Sequence, residues 1–173
     1  MNELINLINT RASTKSYKDD MPSDEAINEI ISAGLNAASG RNLQAPIIVV
    51  VKNRQIRDKM SKDNAGIFGA KADPFYNAPV VLVVLAKRSA HTYVYDGSLC
   101  LGNMMLAAHA LGLGSCWIHR AKEVFEMQEW KEWLKSVGVE DDVEGIGNLV
   151  IGYPEDKIPE PKEVKENRVF LVC

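Results

Sequence analysis

The stretch Leu106-Ala107-Ala108-His109-Ala110-Leu111-Gly112-Leu113-Gly114-Ser115-Cys116-Trp117-Ile118 joins two apolar segments through a pair of glycines. From about Tyr95 to Leu111 the chain is apolar nearly all round, which at this length predicts a buried helix rather than a membrane span. Gly112-Leu113-Gly114 ends that helix, and 115–118 is predicted as a short strand. The stretch therefore predicts a buried helix that leads directly into a strand.

Outward from this stretch, continuous runs of β-branched residues predict further strands. Ile47–Val51 and Pro79–Leu85 are expected to be covered on both faces, and Ile146–Tyr153 is the last strong strand. Short apolar stripes predict helices at 2–10, after a Ser23 N-cap, and at 122–136. Gly34 inside the second helix predicts close packing. Residues 54–71 are polar and mixed, and we expect a mobile surface segment with some helix.

The end of the chain combines an extended arm with an apolar terminus. Prolines keep 154–168 extended, and Val169–Val172 is apolar. Such a terminal strand needs a sheet edge, and the chain's own sheet and that of a partner subunit fit the pattern equally well. No repeat or domain boundary interrupts residues 1–173, so one domain is expected.

Composition limits the classes of function. The 173 residues carry a net charge of −3, which gives no general electrostatic reason to expect nucleic acid or an anionic membrane as a partner. No apolar run approaches the roughly 20 residues of a membrane span, and the amino terminus lacks the features of a secretory signal. Cys100, Cys116 and Cys173 have no metal-like spacing, which favours reduced thiols in a cytoplasmic protein.

Three polar segments are candidates for a binding site. Arg11, Ser13 and Lys15 could bind a phosphate monoester, or they could simply decorate the end of the first helix with cations. In the loop 38–46, small residues allow a planar ligand to approach and Asn42 and Gln44 offer amides to a heterocycle, although an ordinary helix-to-strand loop is the alternative.

The third segment, Gly112–Arg120, resembles a dinucleotide-binding fingerprint and a metal or thiol site, but its sequence supports neither. A dinucleotide fingerprint requires a third glycine where Trp117 stands, and it opens a helix, whereas this segment enters a strand. Cys116 and His119 lack the further ligands of a metal site and the context of a thiol nucleophile. No metal site and no side chain acting as an obligatory acid or base are predicted.

Taken together, these segments resemble the nitroreductase family of small flavoenzymes. The motifs that carry the resemblance are, in chain order, Arg11-x-Ser13-x-Lys15-x-Tyr17, Ala38-Ser39-x-x-Asn42-x-Gln44-x-Pro46, Asn77-Ala78-Pro79, the stretch 106–118, Gly152-Tyr153-Pro154 and the tail ending Lys165-Glu166-Asn167-Arg168-Val169. The resemblance implies an α+β fold, with a central mixed or antiparallel sheet flanked by helices. It also implies an intertwined homodimer with a C-terminal extension and two FMN molecules in the interface.

The resemblance also assigns residues to the cofactor. Arg11, Ala12, Ser13 and Lys15 would hold the phosphate and the pyrimidine edge; Ser39, Asn42 and Gln44 would come from the partner subunit. Trp117, Ile118, His119 and Arg120 would lie along the flavin, with an amide facing N5. In the tail, the family's Lys-x-Arg pair falls on Lys162 and Val164, so Lys165 or Arg168 is left to supply the second cation. Arg41 and Arg120 stand where small or acidic residues are common, which could alter substrate choice.

The implied activity is FMN-dependent oxidation of NADH or NADPH, with reduction of a small-molecule acceptor such as a nitroaromatic or a quinone by ping-pong hydride transfer through flavin N5. The sequence does not distinguish the two donors. Dehalogenation, enoate reduction and a flavin-binding module without turnover are the alternatives. Residues 54–76 are the candidate lid.

Overall fold

The computed structural model describes residues 2–155 and 159–172, and within them four strands form one antiparallel sheet. Its order is β1-β2-β4-β3, with β1 at Pro46–Val51, β2 at Val80–Lys87, β3 at Gly114–Ile118 and β4 at Val143–Gly152. The helices are α1 at Glu3–Thr10, α2 at Asp24–Leu35, α3 at Arg54–Phe68, α4 at Tyr93–Ala110, α5 at Ala121–Glu126 and α6 at Gln128–Ser136. The α+β fold with a helix-flanked sheet is confirmed, and the sheet is antiparallel rather than mixed in the described residues.

Strand β2 is the centre of the molecule. Each residue from Val80 to Ala86 is fully buried, because β1 and β4 flank the strand and helices cover both faces of the sheet. Val81, Val83 and Leu85 belong to the core with α3, α5 and α6, whereas their alternating neighbours belong to the core with α2 and α4. The unbroken apolar run of β2 is thus explained by burial on two faces.

Helix α4 packs against α2 and the sheet, as its apolar sequence predicts. Gly34 of α2 lies so close to α4 that a Cβ there would sit 2.6 Å from Cγ of Met104, which confirms the predicted close packing. The helix is not buried all round, however. Tyr95 is 70% exposed and Leu99 is 51% exposed, so α4 also presents an apolar strip at the surface of the single chain.

The opposite face of the sheet is covered by α3, α5 and α6, and here two expectations were wrong. The polar segment expected to be a mobile surface stretch with some helix is a continuous helix over most of its length, α3, and it is not confined to the surface, because Met60 and Ala65 are buried and Arg57 is buried with its charge paired. The single helix expected at 122–136 is two helices, since the backbone is extended at Met127. The break places Phe125 and Trp130 in one core, with ring centroids 5.8 Å apart.

At the edges of the sheet, one further expectation was wrong and one of two open alternatives is excluded. Strand β1 is not covered on both faces, because it is an edge strand in which only Val51 is fully buried. Residues 169–172 do not join the chain's own sheet; they are exposed and form no strand. None of the helices in the described ranges combines the length and the apolar character that crossing a membrane requires.

Candidate flavin-binding site

The segment that follows α1 runs along the free edge of β3. The backbone N–H of Thr14 donates to the carbonyl oxygen of Ser115 over 3.0 Å, and Tyr17 forms an isolated bridge with Pro154 beyond the end of β4. Gly114 allows this approach, because a Cβ there would lie 2.7 Å from the Thr14 side chain. Residues 11–17 are therefore held against the sheet edge and do not form a free helix terminus.

Arg11, Ser13 and Lys15 gather around Cys116 of β3. The Ser13 hydroxyl lies within hydrogen-bonding reach of the Cys116 sulfur, and the charges of Lys15 and Arg11 act on the same thiol. Burial nevertheless raises the pKa of Cys116, so these groups do not make it a reactive thiolate. Arg11 also acts on His109 at the end of α4, whose pKa burial and this positive charge both lower. The segment thus concentrates positive charge at one point of the sheet edge.

Two donors in this segment are buried without a partner among the described residues. Nη1 of Arg11 and Oγ1 of Thr14 are both enclosed, and neither forms a hydrogen bond. Leaving a charged donor buried and unpaired is costly, so such groups usually have a ligand or an ordered water as a partner. Together with the half-buried Ser13 and the exposed Lys15, these donors suit a phosphate group.

The end of β3 lies on the same edge, immediately beyond the cations. Ile118 is its last paired residue, opposite Asn148 of β4, and Trp117 packs over Gly147, where a Cβ would meet the indole at 2.2 Å. Beyond the strand, His119 is exposed, while Arg120 has a φ of 75° and begins α5. This backbone turn is held by surrounding contacts, since a positive φ is unfavourable for arginine.

Helix α3 supplies those contacts through residues that the sequence did not single out. The buried side chain of Asn64 donates from Nδ2 to the carbonyl oxygen of His119 over 2.8 Å. The guanidinium of Arg120 lies 5.1 Å from the ring centroid of Phe68 and donates to Glu123 over 2.7 Å. No sequence signal marks Asn64, because the segment reads as a polar surface until its helical face is known.

Hydrogen bonds fix the shape of the loop 38–46, but the loop lies away from the Arg11–Lys15 segment and from the end of β3. Oγ of Ser39 accepts from the backbone N–H of Gln44 over 3.1 Å, and the Gln44 amide donates to Asn42 over 3.1 Å. Gly40 anchors the loop by donating to the buried carboxylate of Asp96, near the start of α4, over 3.1 Å. Asn42 and Gln44 have positive φ values of 55° and 48°, so the loop keeps a strained shape with its polar groups exposed.

The predicted site residues therefore fall into three separate groups. The Arg11–Lys15 segment and the Trp117–Arg120 strand end are adjacent, because Thr14 pairs with Ser115. The 38–46 loop contacts the start of α4, whereas Arg11 lies near His109 at the helix end, about 20 Å away at 1.5 Å per residue. Lys162 and Lys165 lie in the exposed tail. Among the described residues, no group of three or more His, Cys, Asp or Glu side chains could hold a metal ion.

Comparisons with known proteins identify the family of the chain. The nitroreductase family model matches residues 8–72 and 69–153. An Archaeoglobus fulgidus protein with the provisional name NADH dehydrogenase/NAD(P)H nitroreductase is 33% identical over 160 residues, which are 91% of this chain and 88% of that protein.

Two solved structures have the same fold. A Bacteroides fragilis nitroreductase with bound FMN superimposes with a TM-score of 0.91 at 24% identity, and all of both chains is covered. An FMN-dependent nitroreductase from Clostridium difficile R20291 has a TM-score of 0.85 at 25% identity, covering 99% of each chain. The motifs, the fold and these matches lead to one conclusion: the chain belongs to the nitroreductase family.

Proposed function

We propose that this protein is an FMN-dependent oxidoreductase that oxidises NAD(P)H and reduces a small acceptor such as a nitroaromatic or a quinone. One observation carries the proposal: Nη1 of Arg11 is buried without a partner among the described residues, and it lies in a cation-rich segment paired with strand β3. The names of the A. fulgidus and C. difficile relatives, an NAD(P)H nitroreductase and an FMN-dependent nitroreductase, support it. We also propose that residues 1–173 act as one domain.

The residues present fit the phosphate end of FMN. Arg11 would donate a charge-assisted pair of hydrogen bonds to the phosphate. The backbone N–H and the hydroxyl of Ser13 would add uncharged donors. The hydroxyl of Thr14 is a further buried donor without a partner in the described structure. Lys15 extends the same segment toward the pyrimidine edge, where its exposed ammonium would stabilise negative charge on the ring.

The strand end would hold the ring. Bound FMN supplies hydride transfer at N5, so the protein needs to orient the ring and leave one face open. The backbone of Trp117–Arg120 would lie along the ring, and the Asn64 and Phe68 contacts of α3 would keep the N–H groups of His119 and Arg120 in position. Reduction by NAD(P)H and oxidation by the acceptor would use the same open face in turn.

The separation along α4 supports a homodimer with FMN in the interface. Because about 20 Å separates the loop 38–46 from Arg11 in one chain, that loop cannot close over the same chain's phosphate site. A second copy, related by a two-fold axis, could bring its Ser39, Asn42 and Gln44 to the site, as the family resemblance implies. Each FMN would then be bound by residues of both chains.

Exposed apolar surface supports the same assembly. The single chain leaves a set of large apolar side chains uncovered on α1, α4 and the tail: Leu4, Ile5, Ile8, Tyr95, Leu99, Val169, Phe170, Leu171 and Val172. Burying such patches is a usual reason for association. Because 169–172 is not paired with its own sheet, we propose that it adds to the partner's sheet. Lys162, with Lys165 or Arg168, would then approach the partner's phosphate.

We further propose a cytoplasmic location, without a nucleic-acid or membrane partner. Cys100 and Cys116 are free and buried, and burial raises the pKa of Cys100 to about 11, so both are suited to a reducing compartment.

Absorbance spectroscopy of the purified protein tests the function. We expect a yellow protein that bleaches under anaerobic conditions when NADH or NADPH is added and recovers its colour with a nitroaromatic or a quinone. Protein that cannot be loaded with FMN would contradict the proposal. Protein that binds FMN but does not bleach with either donor would instead be a flavin-binding module.

A further inference from the structure

A groove beside the proposed flavin site is a separate candidate for ligand binding. It lies between one face of α3 and the returning segment 70–77, and its volume is about 780 Å³. Cavities of this size hold small ligands and cofactors. From Arg54 to Gly66 the helix that forms one wall rises about 18 Å, so the groove is elongated.

The far wall of the groove is firmly built. Nη2 of Arg57 donates to Asp73 over 2.5 Å, and Nε donates to the carbonyl oxygen of Ala78 over 3.1 Å. Asp73 also accepts from Ser61 and from the backbone N–H groups of Phe75 and Asn77. These interactions lower the pKa of Asp73, although burial opposes them, so the carboxylate stays ionised and fixes the segment to α3.

Two lysines line this groove, and the charge of one of them, Lys62, also acts on the adjacent carboxylate of Asp63. Lys62 and Lys71 are exposed, and neither forms a hydrogen bond or an ion pair with the described residues. Two hydrogen bonds join the segments that carry these lysines: the Ala70 N–H donates to Ala65 over 3.0 Å, and Ser61 donates to Asp73.

The two carboxylates that line the groove are engaged by arginines. Asp58 is engaged by Arg54 over 3.0 Å and by Arg57 over 2.8 Å, and Asp73 is engaged by Arg57. The groove therefore carries an excess of positive charge opposite a wall of small residues, which are Ala65, Gly66, Ala70 and Ala72. A ligand that combines a flat ring with a phosphate would match both features.

The groove adjoins a second cavity that one residue of the proposed flavin site borders. Asn64, one residue from the groove-lining Ala65, donates to His119 at the end of β3, and Phe68 lies under Arg120. At its other side, Asp73 and Asn77 also line a smaller cavity of about 400 Å³ that Lys15 borders. A ligand in the groove can therefore extend toward the open face of the ring.

From this geometry we propose that the groove binds the adenosine phosphate arm of the electron donor, and that Lys62 and Lys71 bind the 2′-phosphate that distinguishes NADPH from NADH. The inference rests on the proposed function, since only a nicotinamide donor would connect the groove with the flavin. Electron transfer itself needs no group from the groove, whose role is to bind and orient the donor.

Steady-state kinetics with both donors test the lysines. In the FMN-loaded variant K62Q/K71Q we expect the KM for NADPH to rise about tenfold, because two charge-assisted contacts are lost, and the KM for NADH to change less than about twofold. Lys135→Gln, an exposed lysine near the end of α6 and outside the groove, is the matched control. Equal changes for the two donors, or no change, would overturn the assignment.

Gly66 offers an independent test that leaves the charges in place. A Cβ at this helical position meets no atom within 4 Å, so Gly66→Leu should fill the groove without a clash in the protein. We expect a higher KM for both donors and unchanged FMN content, while Gly66→Ala, which adds a single methyl group, should stay close to the parent protein. If Gly66→Leu leaves both KM values unchanged, the donor lies outside the groove.

A direct binding measurement separates this inference from the proposed function. Calorimetric titration of the protein with 2′,5′-ADP should show binding that weakens about tenfold in K62Q/K71Q, whereas 5′-AMP should be affected much less. Protein that bleaches with NADH but shows no lysine-dependent binding of 2′,5′-ADP would remove the inference and keep the function. Failure to bind FMN would remove the function, and absence of 2′,5′-ADP binding would then remove the inference as well.

Discussion

The side-chain amide of Asn64 donates to the backbone carbonyl of His119 over 2.8 Å, so α3 holds the strand end on which the proposed flavin site is built. The bond is largely shielded from water, because Asn64 is only 3% exposed. Removing the donor would leave the His119 carbonyl without this partner. A small change on α3 should therefore disturb both stability and the proposed site.

For Asn64→Ala we expect the free energy of unfolding to fall by about 1–3 kcal/mol, the usual cost of an unsatisfied buried polar group. FMN should also dissociate faster, since the turn at His119 is less well held. Urea denaturation and flavin fluorescence measure the two effects. Asn36→Ala is the matched control, because the exposed Asn36 amide makes the same type of bond, to Ser32 over 2.8 Å. Equal effects of the two substitutions would contradict a special role for Asn64.

This contact shows why the sequence predicted the fold better than the site. The strands and most helices follow from local patterns: β2 is an unbroken apolar run, and Ser23 caps α2 by accepting from the N–H of Ala26 over 3.2 Å. The segment of α3 was expected to contain only some helix at the surface, because its face toward the core mixes polar residues with apolar ones. Arg57 is buried there with two counter-ions, the adjacent Asp58 and Asp73, which is distant in sequence.

The site was predicted in pieces whose spatial relationship the sequence could not supply. The neighbourhood of Arg11 and Cys116 depends on Thr14 pairing with Ser115, a contact between residues far apart in the chain. The distance between that segment and the loop around Asn42 depends on the length of α4. Neither distance can be predicted from local sequence periodicity. Only the family resemblance assigned these segments to one site.

Substituting Arg11 tests whether its Nη1, which has no partner among the described residues, binds a phosphate. In the double variant R11A/K15A we expect FMN affinity to fall at least about tenfold, because charge-assisted hydrogen bonds are lost. Arg11→Ala alone should weaken FMN more than riboflavin, which carries no phosphate. Fluorescence titration with both flavins makes the comparison, and Lys52→Ala, a surface lysine paired with Asp24, serves as the control. Unchanged FMN affinity would place the phosphate elsewhere.

The pKa of His109 tests the same site by a measurement that does not depend on activity. Burial and the charge of Arg11 both lower its pKa, and its Nε2 lies 3.0 Å from Oγ1 of Thr10. The pKa of His109 is lower in the folded than in the unfolded state, where it is about 6.5. Neutral His109 therefore makes its full contribution to the free energy of unfolding when the pH is above about 6.5. That contribution is lost as the pH falls below this value.

A bound phosphate would offset the charge of Arg11, so FMN should raise the pKa of His109, and Arg11→Ala should raise it in the protein without FMN. NMR titration of the histidine ring, assigned by comparison with His109→Gln, measures both effects. Lys52→Ala, which removes a surface charge paired with Asp24, is the control and should leave the His109 titration unchanged. A His109 titration that responds neither to FMN nor to Arg11→Ala would contradict the phosphate position.

The tail gives the last prediction. Deleting 159–173 removes the exposed residues Val169–Val172 together with Lys162, Lys165 and Arg168. If these residues pair with the partner's sheet, the truncated protein should dissociate at protein concentrations where the full chain remains a dimer. Light scattering coupled to gel filtration measures the mass, and flavin fluorescence measures the affinity for FMN.

Point substitutions separate the two roles of the tail. Substituting Phe170 and Leu171 by Ser in the full-length chain should weaken the dimer while the tail cations are retained. Lys162→Ala with Lys165→Ala should instead weaken FMN binding and leave the dimer intact. A truncated protein that keeps both its mass and its FMN affinity would show that the tail completes neither the interface nor the site.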